Sequence, residues 1–185
     1  MNTDTAPQDL QRLKKAVETL LFITDQPLGL KRISEILEEE DYDTVIGAVQ
    51  ELRREYEERG SAVQIVEIAD GFQMASRSEY APFVRRLYTE RTTMRLSAAA
   101  LETLSIIAYK QPITRAEIEE IRGVEVIAAL ETLLDKRLVR VVGRRETVGR
   151  PLLYGTTPEF LRLFGLKGLS ELPPLEQFSA TLPGP

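Results

Sequence analysis

Apolar residues recur along the chain at two spacings, one helical and one alternating, and the switches between them divide it into elements. Leu13, Val17, Leu20 and Leu21 form a helical stripe that stops at the turn signal Asp25-Gln26-Pro27. Leu30, Ile33 and Leu37 predict a second, shorter helix; Val45, Val49, Leu52 and Tyr56 predict a third. Gly60 is placed to end that third helix in a left-handed cap. Val63 to Ile68 is β-branched and runs into Asp70-Gly71, which predicts a two-residue hairpin leading to a second strand over Phe72 to Ala75. A fourth helix is predicted from Glu79 to Tyr88.

The same order returns in the second half. Leu96 before Ser97, with Leu101 beyond it, has the form of a stapled helix start, and Thr114-Arg115-Ala116-Glu117 is a capping box flanked by Ile113 and Ile118. Val124 to Lys136 predicts the third helix of this half. Leu138 to Val142 reads as a strand, Gly143 to Arg150 as a polar loop and Pro151 to Gly155 as the returning strand. Thr157 then caps a last helix that opens on Pro158. The halves also share residues: Ala16-Val17-Glu18-Thr19-Leu20 recurs as Ala100-Leu101-Glu102-Thr103-Leu104, and Gln26-Pro27-Leu28 as Gln111-Pro112-Ile113. Ile23, Ile33 and Ile36 have counterparts in Ile107, Ile118 and Ile121.

Three helices followed by a β-hairpin is the order of a winged helix. The predicted fold is mainly α with small β-hairpins (α+β), built as two tandem winged-helix domains over residues 1–90 and 91–165. The boundary is expected near Glu90 to Arg95, where charged residues interrupt the apolar pattern. Leu172-Pro173-Pro174-Leu175 and Leu182-Pro183-Gly184-Pro185 predict that residues 166–185 form a flexible, proline-containing tail outside the core.

Composition removes whole classes of function. The 185 residues include no histidine and no cysteine. That excludes a Ser/His/Asp triad, a thiol nucleophile, disulfides and a zinc site of the usual ligands. No P-loop or dinucleotide-type glycine loop is present, so the expectation is a protein that is not an enzyme and carries no cofactor. The acidic run Glu38-Glu39-Glu40-Asp41 reads as a solvated helix end, not a metal site. No apolar run approaches the ~18 residues needed to span a bilayer, and the start lacks a basic, then apolar, leader. A cytoplasmic protein without membrane contact is expected.

Winged helices often bind DNA, so charge is the next test. Residues 1–90 carry 11 basic and 18 acidic side chains, net −7; residues 91–185 carry 13 and 11, net +2. Phosphate affinity comes from Lys and Arg, which the first half opposes. The opening turns of the two third helices, Asp43 to Gln50 and Val124 to Glu131, contain neither residue. A winged-helix transcriptional regulator is therefore the secondary reading. Arg144-Arg145-Glu146-Thr147-Val148-Gly149-Arg150 is the one local basic cluster, and the sequence leaves open a solvated hairpin tip, a phosphate contact or an acidic protein partner. Val126 and Ile127, adjacent and apolar, either fill a wide buried stripe or leave one of the pair facing a partner.

Longer stretches carry a resemblance. Leu101 to Leu104, Ile107 to Ile118, Ile121 to Val124, Gly149 to Pro151, Tyr154 to Leu161 and Leu172 to Leu175 together resemble the ScpB family, segregation and condensation protein B. The resemblance implies a non-enzymatic subunit of the bacterial SMC condensin that supports chromosome condensation and segregation. It implies a homodimer formed through the N-terminal domains. Two copies would hold the central segment of the kleisin ScpA, which links them to SMC. It further implies nucleoid association through SMC, with weak or indirect DNA contact. The chain departs from the family at Glu125-Val126-Ile127, where a polar Asn-Ser-Asp type start is usual, and at Arg137, commonly glycine. A groove between helices and wing of the second domain is the expected ScpA site, with Tyr109, Val126, Ile127, Leu130, Arg145 and Tyr154 as contact candidates.

Overall fold

A computed structural model describes residues 5–39, 41–88 and 96–175. The chain divides into two compact units, Met1–Arg91 and Thr92–Pro185. The junction expected between Glu90 and Arg95 lies outside the described residues. Each unit has the three-helix-and-hairpin order of a winged helix.

In unit 1, α1 (Thr5–Ile23), α2 (Leu30–Leu37) and α3 (Tyr42–Glu58) precede the hairpin β1 (Val63–Ile68) and β2 (Gly71–Ser76); a 3-10 turn then leads into α4 (Ala81–Leu87). The stripes meet in one core: Val17 and Leu21 of α1, Ile33 of α2, and Val45, Val49, Leu52 and Tyr56 of α3 are buried with Ile65 and Phe72 of the hairpin. Each such side chain, fully buried, contributes about 1.5–3 kcal/mol. Polar groups reinforce the α1–α3 contact. Buried Lys14 pairs with Glu55, and the Tyr56 hydroxyl donates to Glu18 at 2.5 Å. Asp41, read from the sequence as merely solvated, caps α3: it accepts from the Asp43 N–H at 3.1 Å and the Thr44 hydroxyl at 2.5 Å. These bonds, the Thr44 hydroxyl first, hold its carboxyl below the ordinary value.

Gly60 ends α3 as expected. At φ +58° it lets the Ser61 N–H reach Tyr56 O at 3.1 Å while its own N–H donates to Glu57 O at 3.0 Å. The hairpin differs from expectation by one residue. Ile68 pairs with Gly71, so the turn is made by Ala69 and Asp70, both with positive φ. Gly71 is required for a tertiary reason: a Cβ there would lie 2.8 Å from the carbonyl carbon of Leu28. That approach exists because Leu28 and Phe72 exchange two backbone hydrogen bonds of 2.9 Å, adding a third strand position to the hairpin.

Unit 2 repeats the design with a fuller sheet. Its elements are α5 (Ala98–Lys110), β3 (Ile113–Thr114), α6 (Arg115–Arg122), α7 (Ile127–Asp135), β4 (Val139–Arg144), β5 (Leu152–Thr156) and α8 (Pro158–Phe164). The antiparallel sheet has the order β3-β5-β4, with Ile113 opposite Tyr154 and a bulge between Val141 and Gly143. Ile113 therefore occupies the place of Leu28 in unit 1. The other shared positions agree only in part. Ile33 and Ile118 are both buried, and Ile36 and Ile121 are both exposed, but Ile23 is 77% exposed where Ile107 is fully buried. Val17 likewise is buried while Leu101 is exposed. The first helices of the two units thus present different faces to their cores despite the similar letters.

The predicted caps are present: Ser97 accepts from Ala100 N, Thr114 and Glu117 form the full capping box, and Thr157 accepts from Phe160 N. The start of α7 is a correction. The helix begins at Ile127, not Val124, with Val126 at the cap position and no side-chain cap of its own. Glu119 of α6 supplies one, accepting the Val126 N–H at 3.2 Å. At the other end Arg137 holds φ +56°, in the left-handed region that favours glycine, while Leu138 N donates to Leu133 O at 2.9 Å. The segment after Gly165, expected to be flexible, is packed as far as Leu175: Leu166 N donates to Leu161 O at 2.9 Å and a 3-10 turn spans Leu169–Glu171. The Leu182 to Pro185 part of that expectation lies outside the described residues.

Candidate functional site

Unit 2 carries the candidate surface, and its rigid centre is the capping box of α6. The Glu117 carboxylate accepts the Thr114 N–H at 2.9 Å and the Thr114 hydroxyl at 2.8 Å. From the wing, Arg145 donates to the same carboxylate at 2.7 Å. The arginine, and then the two threonine groups, hold the Glu117 carboxyl down at about 2. One carboxylate thus fixes both a helix start and the wing. A second tie joins α6 to α5, where Arg122 donates to Glu102 at 2.6 Å and to the Thr103 hydroxyl at 3.2 Å.

These ties shape an apolar groove of about 360 Å³, lined by Ser105, Ile106, Tyr109 and Lys110 of α5, Ile121 of α6 and Leu175. A neighbouring cleft of about 380 Å³ includes Leu104, Ala108, Phe160 and Phe164 and is occupied on one side by Leu172 and Pro173. The Tyr109 hydroxyl stands between them and donates to Pro173 O at 2.6 Å. Among the described residues no cluster of Asp and Glu is arranged to hold a metal ion. No helix of the described residues is long and apolar enough to cross a membrane. Unit 1 offers a different surface: α4 has no buried residue, and Phe83 and Leu87 on it are 65% and 77% exposed.

The profile of the family described as Segregation and condensation complex subunit ScpB matches residues 15–175. The chain belongs to the ScpB family. Among its relatives, segregation and condensation protein B of Desulforamulus reducens is 50% identical over 165 residues, covering 89% of this chain and 90% of the relative. That of Syntrophotalea carbinolica is 47% identical over 171 residues, covering 92% and 86%. Of solved structures, ScpB from Mycobacterium tuberculosis is 32% identical with a TM-score of 0.41, covering 85% of this chain and 97% of that one. A dimer of a ScpB N-terminal domain complexed with a ScpA peptide is 30% identical with a TM-score of 0.40, covering 43% and 98%.

Against this ScpB background the six candidate residues separate into two groups. Val126, Leu130 and Tyr154 are core residues, 1%, 4% and 8% exposed. Val126 turns inward at the cap of α7, Leu130 follows one helical turn later, and Tyr154 lies on the central strand between Ile113 and Val141. A partner reaches none of them without opening the unit, which corrects their selection as contacts. Tyr109, Ile127 and Arg145 keep accessible surface. Tyr109 lines the groove; neither Ile127 nor Arg145 does. The sequence reasoning missed Ile106, Lys110, Ile121 and Leu175. A signal for the first was present: Ile106-Ile107 is an adjacent apolar pair on one helix, and as with Val126-Ile127 only one member is in the core.

The two positions at which the resemblance led to a different expectation are accommodated locally. Glu119 replaces the missing polar cap at the start of α7, and Arg137 adopts the glycine-like conformation at its end. The Arg137 carbonyl there also accepts the Thr157 hydroxyl at 2.5 Å, which joins the end of α7 to the cap of α8.

Proposed function

We propose that the protein is an architectural, non-enzymatic subunit of an SMC condensin, in which unit 1 pairs with a second copy and unit 2 receives a segment of the kleisin ScpA. The match to the ScpB family over residues 15–175 carries this reading. The geometry supports it in two ways. Unit 2 presents an apolar groove beside Tyr109, with Ile127 43% exposed elsewhere on the same unit, and buried apolar side chains supply most of the affinity in peptide recognition. The first turn of α7, Ile127-Ala128-Ala129-Leu130, offers no hydrogen-bonding side chain to a base edge. On unit 1, the exposed Phe83 and Leu87 supply an apolar patch for self-association.

The test is a direct competition of partners. The purified protein is mixed with a ScpA central fragment and, separately, with duplex DNA at about 0.15 M salt, where weak phosphate contacts are screened. A stable complex with the fragment alone is expected. Binding to the duplex without binding to the fragment refutes the proposal in favour of a winged-helix regulator. For the pairing, light scattering of fragment 1–90 is expected to report twice the monomer mass, and a concentration-independent monomer contradicts that part.

A further inference from the structure

After α8 the chain lies across α5 as a strap. The 3-10 turn Leu169–Glu171 closes with Leu172 N donating to Leu169 O at 3.1 Å, and Leu172, at φ −62° and ψ 131°, starts a polyproline II course. Pro173 and Pro174 follow; neither has an N–H to bond, and the residue before a proline is kept extended. Among the described residues the one hydrogen bond to Pro173, Pro174 or Leu175 comes from the Tyr109 hydroxyl, which donates to Pro173 O at 2.6 Å. Leu172 is half-buried, and the three residues after it are exposed. One leucine and one tyrosine hydroxyl therefore hold the strap down. The surface beneath is larger than the strap: the cleft that Leu172 and Pro173 enter and the groove beside it share Ser105 and Tyr109. Its walls stay open with the strap in place, since Leu101, Phe164 and Ile121 are 43%, 48% and 54% exposed.

We propose that this surface is a receptor for an extended, proline-containing polypeptide segment, and that Leu172-Pro173-Pro174-Leu175 occupies it until a partner's segment of the same chemistry displaces it. The seated strap defines that chemistry. A leucine enters beside Leu104 and Phe160, a proline follows, and the proline carbonyl meets the Tyr109 hydroxyl. Polyproline II segments make no internal hydrogen bonds and dock in aromatic-lined grooves, which Tyr109, Phe160 and Phe164 supply here. Nucleic acid fits badly, because Lys110 is the one cation among the lining residues of cleft and groove. A partner's segment remakes both contacts of the strap and buries Ile121, which the strap leaves uncovered. A strap seated about nine-tenths of the time weakens an incoming segment about tenfold. That the segment belongs to ScpA rests on the reading of unit 2 as the ScpA receptor; the strap and its site do not.

The probe is a peptide of residues 169–175 with an amino-terminal fluorescein, followed by anisotropy against the full-length protein. Leu172→Asp in the protein unseats the strap, and Leu172→Ala is the milder second variant should the first change the circular dichroism spectrum. Either variant is expected to bind the peptide about tenfold more tightly than wild type does. The same peptide carrying Leu172→Asp is expected not to bind, and Tyr109→Phe added to the variant protein is expected to weaken binding several-fold. Two results overturn the proposal: a variant of native spectrum that does not bind the peptide, and equal affinity in variant and wild type. The ScpA central fragment is the second probe, and its affinity is expected to rise by the same factor in the variants. If the peptide binds as expected and the affinity for the ScpA fragment is unchanged, the strap and its site stand and the assignment of ScpA to this surface fails.

Discussion

Replacing Glu117 by glutamine isolates the charge on which the wing anchor depends. The glutamine keeps a side-chain oxygen for the Thr114 N–H, so both bonds of the capping box survive, but it turns an amide instead of a carboxylate oxygen toward Arg145. The cap, worth about 0.5–2 kcal/mol, is thus retained. The ion pair, with both side chains more than one-third exposed, contributes about 0.2–1 kcal/mol after solvent screening. The substitution should therefore cost about 1 kcal/mol, and a double-mutant cycle with Arg145→Ala should give a coupling below about 1 kcal/mol. The pH dependence is the sharper readout. The folded Glu117 carboxyl titrates at about 2 instead of its ordinary 4.5, so the unfolded chain binds the proton first. The stabilisation is complete above the unfolded value and is lost as pH falls through that interval toward about 2. Urea unfolding followed by circular dichroism at a series of pH values should show wild type and Glu117→Gln converging as the solution becomes acidic. Parallel curves over the interval would refute the assignment of the anchor to this carboxylate.

Three further outcomes follow from the geometry. Gly71→Ala sets a Cβ 2.8 Å from backbone that no rotamer change can move, and should destabilise unit 1 by about 1–3 kcal/mol in thermal or urea unfolding. Arg137→Gly relieves a left-handed arginine and should raise stability by about 0.5–1 kcal/mol after the extra entropy of glycine is subtracted; unchanged stability would show that the conformation is not strained. Val126→Asp buries a charge and should unfold unit 2 or cost more than about 3 kcal/mol, whereas Ile127→Asp, one residue away and 43% exposed, should keep the circular dichroism spectrum and weaken binding of the ScpA fragment.

What could be read along the chain was local chemistry. Ser97, Thr114 and Thr157 each satisfy an amide within three residues, so their helix starts are written in adjacent letters. The stripe Val45, Val49, Leu52 and Tyr56 packs as its spacing requires, because a single face of α3 meets the core. Elsewhere the deciding contact is remote. The start of α7 depends on Glu119 in another helix, and Gly71 answers to Leu28 across the hairpin. The contact candidates suffered from the same cause: Val126, Leu130 and Tyr154 are apolar and central, which describes a core residue as well as a docking residue. The groove at Ile106 and Ile121 escaped because it needs two helices and the returning Leu175, separated by more than fifty residues along the chain.

The borrowed cap of α7 has a consequence for how this module can be cut and reused. Since the amide of Val126 is held by a carboxylate from the preceding helix, loosening the last turns of α6 also removes the cap of α7. Position 126 is then answerable to shape and not to hydrogen bonding, which frees it to drift among aliphatic residues. Anyone grafting α7 onto another scaffold must carry Glu119 along with it, or supply a new acceptor at the graft point.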